Sequence, residues 1–167
     1  MSLTTFRASG ADRAGKDAAA VERGPSSKVT VPSLLDKKLS RQPIAVVTAY
    51  DYASARLVDE VGLDVILVGD SLAMVMQGHE NTLAVTMDEM LLYTRGVRRA
   101  VRRALVVSDM PFGSYQVDER EGVANARRGG KEAGAEAVKI EGGRQRTDLV
   151  RRVVGGEVPV MGHLGLT

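Results

Sequence analysis

The sequence predicts an α/β fold built on a parallel sheet. From Val31 onward, short apolar runs alternate with stretches of helical periodicity, as in strands joined by crossover helices. The runs lack polar alternation, which is typical of strands covered on both faces. Asp70, Asp109 and Glu141 stand just after three successive runs. Because parallel strands end at the same edge of a sheet, we expect these three carboxylates to lie close together.

Five strands are predicted from the apolar runs. They cover residues 44–48, 65–68, 105–108, 137–140 and 158–161. Residues 69–86 are predicted to form a longer connection.

Four helices are predicted between these strands. The first covers 52–61, stops at Gly62 and carries its apolar face on Ala53, Leu57, Val58 and Val61. Thr86 and Glu89 form a capping box that opens the second helix, whose apolar face consists of Met87, Met90, Leu91, Thr94, Val97 and Val101. The third covers 118–133 and the fourth 147–154.

The third helix contains Gly122, Gly129 and Gly130. A glycine inside a helix costs about 1 kcal/mol relative to alanine. We therefore expect this helix to be frayed or loosely packed.

Composition indicates a single domain without disulfides. The 167 residues are 44% apolar and include no cysteine, which excludes thiolate metal sites and fits a reducing, cytoplasmic location. We expect no membrane association, since no apolar run is long enough for a span and no signal-peptide pattern is present.

The first thirty residues differ from the remainder. Residues 1–30 are rich in Ala, Gly, Ser and charge and predict a disordered tail, so the predicted folded domain is 31–167. Acidic residues within this tail argue against an organelle transit peptide. The tail holds five Lys or Arg and three acids, which accounts for the whole net charge of +2.

Nucleic acid is not an expected partner. Residues 31–167 are neutral by count, and aromatic residues make up only 4% of the chain. The basic cluster of Arg98, Arg99, Arg102 and Arg103 is better explained as the solvated end of a helix.

Lys139 and Glu141 are candidate functional residues within a strand. Residues two apart on a strand share a face, so Val138 and Ile140 should face the helices and Lys139 and Glu141 the opposite side. A buried lysine is costly unless it is paired. A binding role and a purely structural Lys–carboxylate pair both fit this pattern.

At the other strand ends, each candidate binding residue could also have a purely structural role. Asp70 and Asp109 have a purely structural alternative, in which each carboxylate only stabilises the turn after its strand. Ser71 could bind an anion through its hydroxyl. His163 shares parity with Met161 and could be an ordinary core histidine. Together these residues favour a shared site at one end of the sheet. Three carboxylates there would suit Mg²⁺, which prefers oxygen ligands.

Five motifs resemble one known family. They are Thr-Ala-Tyr-Asp at 48–51, Val-Gly-Asp-Ser at 68–71, Asp-Met-Pro-Phe at 109–112, Val-Lys-Ile-Glu-Gly-Gly at 138–143 and Gly-His-Leu-Gly-Leu-Thr at 162–167. In this order and spacing they resemble the 3-methyl-2-oxobutanoate (ketopantoate) hydroxymethyltransferases. The resemblance runs from about Val31 to the last residue.

The resemblance implies a TIM (β/α)8 barrel of the phosphoenolpyruvate/pyruvate superfamily. It implies transfer of a hydroxymethyl group from 5,10-methylenetetrahydrofolate to 3-methyl-2-oxobutanoate, giving 2-dehydropantoate in pantothenate and coenzyme A biosynthesis. By the family pattern, Mg²⁺ is held by Asp70, Asp109 and Glu141, the last directly or through water. The 2-oxo acid is held by Asp70, Ser71, Asp109 and Lys139, with His163 lining the same pocket. A homo-oligomer is also implied.

The family barrel has eight strands, and this chain supplies five. The resemblance assigns the proton-acceptor glutamate to a position beyond Thr167, so no catalytic base is assigned within the sequence. We accordingly expect this segment alone to be inactive, and aggregation-prone or molten, because its edge strands and inward face are uncovered. Two alternatives stay open: an inactive fragment, or another Mg²⁺-dependent mutase or lyase of the same superfamily acting on a 2-oxo acid.

Overall fold

A computed structural model describes residues 27–165. These residues form a single five-stranded sheet in the order β1–β2–β3–β4–β5, with every neighbouring pair parallel. The strands are β1 Val46–Thr48, β2 Val65–Val68, β3 Leu105–Asp109, β4 Ala137–Glu141 and β5 Val160–His163. The predicted parallel α/β arrangement is confirmed, as a partial barrel.

Helices precede and connect the strands. They are α1 Val31–Leu39, α2 Tyr52–Val61, α3 Leu72–Val75, α4 Met87–Ala100, α5 Glu119–Ala133 and α6 Thr147–Gly155, and a 3-10 turn at Arg144–Arg146 precedes α6. The predicted capping box opens α4, with the Thr86 N–H donating to the Glu89 carboxylate at 2.8 Å. None of these described helices is long and apolar enough to cross a membrane.

Helix α1 was missed by the sequence analysis, although its capping signals are present. Thr30 is its N-cap and accepts a hydrogen bond from the Ser33 N–H, and a proline occupies the first turn. Its apolar residues Val31, Leu34, Leu35 and Leu39 also recur at helical spacing, although none of them is fully buried.

The predicted tail overlaps the described structure at residues 27–30. Val29 is buried, and its N–H donates to the Arg103 carbonyl at 2.8 Å. Lys28 forms an ion pair with Glu136 at 2.7 Å. Packing therefore begins before residue 31, and the rest of the predicted tail, residues 1–26, lies outside the described residues.

Strand β5 begins two residues later than predicted. Pro159 has no N–H to give to a ladder, and Glu157 has a positive φ of 67°, so regular pairing starts only at Val160. As a result His163 is the last residue of β5 and lies opposite Glu141 in the register.

The two faces of the sheet bury different sets of side chains. Val138 and Ile140 pack against α5 and α6, as predicted from their parity. The opposite face forms a second cluster, consisting of Val65, Leu105, Val107 and Ala137 with Val29, and Leu34 of α1 packs against it. The central strands β2, β3 and β4 are largely buried, whereas β1, at one edge of the sheet, is exposed.

The predicted apolar face of α2 is mostly wrong, since Val58 packs against the core but Ala53, Leu57 and Val61 are exposed. Leu57 and Val61 are 65% and 66% exposed, whereas Ala55 and Asp59 are buried. The Asp59 carboxylate accepts hydrogen bonds from the backbone N–H groups of residues 102–104, at 2.7–3.1 Å. These hydrogen bonds hold the Asp59 side of α2 inward and leave Leu57 and Val61 outside.

The expectation that the glycine-containing helix is frayed or loosely packed is also wrong. Helix α5 runs unbroken to Ala133 and is closed by Gly134 in the left-handed conformation. A Cβ added at Gly122 would lie 2.8 Å from Leu149 Cδ1, and one at Gly129 would lie 3.2 Å from Val138 Cγ1. These glycines permit close approach of α5 to α6 and β4, so their low propensity is offset by packing.

The basic cluster is partly structural. Arg103 donates to the Leu63 carbonyl at 2.6 Å, and Arg98 donates to the Val101 carbonyl at 2.8 Å. Arg99 and Arg102 are exposed. The cluster lies at the C-terminal end of α4 and the turn after it, in agreement with its interpretation as a helix end.

Candidate active site

All six predicted site residues lie at the carboxyl edge of the sheet. Four of them end or nearly end their strands, since Asp109 pairs in register with Lys139, and Glu141 with His163. The other two positions, Asp70 and Ser71, follow β2 directly. The parallel topology thus brings together residues that are separated by up to 93 positions in the sequence.

Lys139 connects two of the carboxylates. Its Nζ lies 2.6 Å from Asp109 Oδ2 and 2.9 Å from Glu141 Oε1, and its side chain is only 10% exposed. Burial opposes the ammonium charge, but the two carboxylates more than offset this, and the pKa of Lys139 lies above its usual value. The lysine is therefore charged and is held rigidly between its partners.

Asp109 is the most deeply buried acidic residue within residues 27–165, at 1% exposure. Its Oδ2 also accepts the Asp70 N–H at 3.2 Å, whereas its Oδ1 has no hydrogen-bond partner within the described residues. Burial raises the pKa of Asp109 to about 6, against the opposing effect of Lys139. A buried carboxylate oxygen without a partner is costly, and a cation beside it would remove that cost.

Glu141 is directed toward cationic and imidazole partners. Its Oε1 lies 2.6 Å from His163 Nδ1 and 2.9 Å from Lys139 Nζ. Burial raises the pKa of Glu141, but the hydrogen bonds from Lys139 and His163 outweigh it, so the net shift is downward. Glu141 therefore stays ionised and holds His163 at the edge of the site.

The acidic side chains fit a divalent cation that keeps water ligands. Over residues 27–165, no three His, Cys, Asp or Glu side chains are arranged to hold a metal ion between them. Asp70 lies beside Asp109, because its backbone N–H donates to Asp109 Oδ2 and its negative charge contributes to the raised pKa of Asp109, whereas Glu141 pairs with Lys139 and His163. Mg²⁺ is commonly bound by one or two carboxylates and retains several waters, so this donor set suits it.

Ser71 is oriented by a residue that sequence reasoning did not assign to the site. Tyr50, two residues beyond β1, has its hydroxyl 2.8 Å from Ser71 Oγ. A Cβ at Gly69 would lie 2.9 Å from the same oxygen, so the glycine leaves room for this orientation. Tyr50 stands in the Thr-Ala-Tyr-Asp motif, and its position directly after a strand was the available signal.

Tyr115 was also missed. It lies in the loop between β3 and α5, and its hydroxyl lies 3.2 Å from the Glu141 nitrogen. Nothing in the local sequence distinguishes it from a surface tyrosine of a loop, because its contacts depend on a strand 26 residues away.

Comparison with known proteins agrees with the motifs. A sequence model of the ketopantoate hydroxymethyltransferases matches residues 28–167. The chain belongs to this family. Among curated members named 3-methyl-2-oxobutanoate hydroxymethyltransferase, the chain is 64% identical to that of Koribacter versatilis over 141 residues and 55% identical to that of Pelobacter propionicus over 140.

The chain spans about half the length of these ketopantoate hydroxymethyltransferases. The match covers 84% of this chain but 48% of the Koribacter versatilis relative and 52% of the Pelobacter propionicus relative. The family's sequence motifs found here therefore belong to one half of the relatives.

Solved structures with a similar fold support the barrel assignment. A 2,3-dimethylmalate lyase of the PEP mutase/isocitrate lyase superfamily superposes with a TM-score of 0.58 at 20% identity, covering 80% of this chain and 52% of its own. An oxaloacetate acetylhydrolase gives 0.60 at 13% identity with the same coverage. At these identities the likeness concerns the fold alone.

Proposed function

We propose that this chain carries the cation- and substrate-binding part of a hydroxymethyltransferase site. The reaction transfers a hydroxymethyl group from 5,10-methylenetetrahydrofolate to 3-methyl-2-oxobutanoate and gives 2-dehydropantoate. One observation carries the proposal: in a member of this family, the buried Asp109 carboxylate has an unpartnered oxygen beside Asp70 and Lys139 at the carboxyl edge of the sheet.

Asp70 and Asp109 would hold Mg²⁺, with Glu141 interacting through water. A cation held there would supply Lewis-acid chemistry, which stabilises the negative charge that forms on a 2-oxo acid when the carbon beside the ketone loses a proton. The unpartnered Asp109 oxygen supports this donor set, as does the nearby negative charge of Asp70, which contributes to the raised pKa of Asp109.

Lys139 supplies fixed positive charge beside the same atoms. Its ammonium is already oriented by Asp109 and Glu141 and needs no rearrangement as charge develops on the substrate. Ser71, oriented by Tyr50, would donate a hydrogen bond to the substrate carboxylate. His163 lines the pocket and holds Glu141 in place from the β5 side.

The proposal assigns no general base to residues 1–167. In the family resemblance that glutamate follows Thr167, so these residues bind and polarise the substrate but do not remove its proton. The proposed domain assignment is therefore that 31–167 form the N-terminal part of a TIM-barrel catalytic domain.

The proposal includes the folate donor, homo-oligomeric assembly and a cytoplasmic location. The five-motif resemblance supports the first two, and the absence of cysteine is compatible with the third.

Product formation tests the proposal. The assay uses a completed chain, defined as residues 1–167 followed by the part of the Koribacter versatilis relative that lies beyond the match. We expect 2-dehydropantoate from 3-methyl-2-oxobutanoate only when both 5,10-methylenetetrahydrofolate and Mg²⁺ are present. Turnover of a 2-oxo acid without the folate would instead support the mutase or lyase alternative.

Substitution of Asp109 separates the cation site from general damage. Loss of groups that merely support metal ligands typically costs ~10–100-fold, so Asp109→Asn should reduce product formation at least ~100-fold. Asp148→Asn is the matched control, because this carboxylate is 73% exposed on α6 and pairs with the equally exposed Arg151. Full activity of Asp109→Asn would overturn the role of Asp109.

A further inference from the structure

Strand β3 leaves the sheet before β4 ends. The ladder between them reaches the pair Asp109 and Lys139, and the Met110 N–H donates to the Lys139 carbonyl at 3.0 Å. Pro111 follows, and the chain then turns, with the Ser114 N–H donating to the Pro111 carbonyl at 3.1 Å. In a continued parallel ladder, the Glu141 N–H and C=O would bond to the next backbone groups of β3.

The Tyr115 side chain occupies that position in the ladder. Its hydroxyl accepts from the Glu141 N–H at 3.2 Å and donates to the Glu141 carbonyl at 3.3 Å. Tyr115 is 4% exposed, so no water competes freely for these groups. One hydroxyl thus replaces both the acceptor and the donor that a longer β3 would have supplied.

The loop that carries Tyr115 is held firmly in place. The Asn125 side chain of α5 donates to the Ser114 carbonyl at 2.8 Å. A Cβ added at Gly122 would lie 3.0 Å from Tyr115 Cβ, so α5 packs against the tyrosine at a distance that only a glycine permits. The Arg146 guanidinium lies 5.7 Å from the centre of the ring.

We propose that Tyr115 is a positioning residue for the candidate site: it fixes the backbone of Glu141 and thereby aims the Glu141 carboxylate. Glu141 is the last residue of β4, beyond which Gly142 has a positive φ of 108° and the chain turns away. Without the hydroxyl, only the β5 side holds this strand end. The Glu141 carboxylate then loses its fixed position relative to Lys139 and to the cation. The inference rests on the proposed function, since the cation site gives this orientation its purpose.

Tyr115→Phe in the completed chain tests the inference, because it removes the hydroxyl and keeps the ring. The measurement is the dissociation constant for Mn²⁺ alone, by isothermal titration, beside the urea midpoint of each protein. We expect Mn²⁺ to bind about 10-fold more weakly, at the lower end of the range found for partners that orient metal ligands, because Glu141 would reach the cation through water. The kcat should fall as well, while a merely structural role would lower the urea midpoint and leave the Mn²⁺ affinity unchanged.

Thr30→Ala is the matched control. It removes the N-cap of α1, outside the candidate site, and should lower stability without changing Mn²⁺ affinity. If Tyr115→Phe does not fold, Gly122→Ala displaces the tyrosine while retaining its hydroxyl and should weaken Mn²⁺ binding in the same direction. If the Mn²⁺ affinity of Tyr115→Phe is unchanged, the proposed role of Tyr115 is overturned. If Tyr115→Phe does not fold, an unchanged Mn²⁺ affinity of Gly122→Ala overturns that role instead. Failure of the wild-type completed chain to bind Mn²⁺ overturns the proposed cation site and this inference with it.

Discussion

Replacement of Lys139 by methionine tests the electrostatics of the strand ends. Methionine retains an unbranched apolar stem and removes the charge that lies 2.6 Å from Asp109 and 2.9 Å from Glu141. When no divalent cation is present, the variant leaves the buried Asp109 carboxylate without a counter-ion. Removing one partner from a buried ion pair typically costs about 3–5 kcal/mol of unfolding free energy.

The cost depends on pH through Asp109. Its pKa in the folded protein is raised to about 6 from an ordinary 3.8, so the folded state binds this proton more tightly than the unfolded state. Stability from this group is therefore fully present below the ordinary pKa and is lost as pH rises through the folded value. Without Lys139 the folded pKa of Asp109 rises further, and the loss with pH becomes larger.

We expect Lys139→Met to lose about 3–5 kcal/mol at pH 8 and clearly less at pH 5, where Asp109 is mostly protonated in both proteins. Urea unfolding of the completed chain in EDTA measures both values, and Mg²⁺ should restore part of the loss at pH 8. Lys131→Met, at an exposed position of α5, is the control and should change little. Equal losses at the two pH values would refute the pKa argument for Asp109, and no loss at either would refute the ion pair.

Three further substitutions test other parts of the structure. Asp59→Ala leaves the backbone N–H groups of 102–104 without their acceptor and should cost about 2–4 kcal/mol, seen as a lower urea midpoint. Gly96→Ala meets no atom within 4 Å inside α4 and should raise stability by about 1 kcal/mol, seen as a higher Tm; a lower Tm would contradict the open space. Tyr50→Phe frees the Ser71 hydroxyl and should raise KM for the 2-oxo acid more than it lowers kcat; an unchanged KM would contradict the orienting role of Tyr50.

The position of the candidate site could be predicted because it follows from topology. Once the apolar runs are interpreted as parallel strands, residues after them must meet at one edge, and Asp70, Asp109 and Glu141 do so. The face of α2 could not be predicted in the same way. Its inward side is decided by Asp59 and the backbone of residues 102–104, which are more than forty positions away in the sequence.

The close packing of α5 against its neighbours could not be predicted from the sequence either. Gly122 and Gly129 lower helix propensity locally, and only the packing of α5 against Leu149 and Val138 explains why small residues stand there. Glu141 was predicted as a possible cation ligand from its place at a strand end. Its orientation toward Lys139 and His163 depends on side-chain geometry that parity alone does not determine.

The central claim is that Asp70 and Asp109 bind the divalent cation with which the 2-oxo acid interacts. The most direct measurement is a crystal structure of the completed chain grown with Mn²⁺ and 3-methyl-2-oxobutanoate, using anomalous scattering to locate the metal. We predict an anomalous peak at coordination distance from the unpartnered Asp109 Oδ1 and from the Asp70 carboxylate, with the 2-oxo acid beside Lys139. A peak at other residues, or bound 2-oxo acid with no metal at Asp109, would contradict the account.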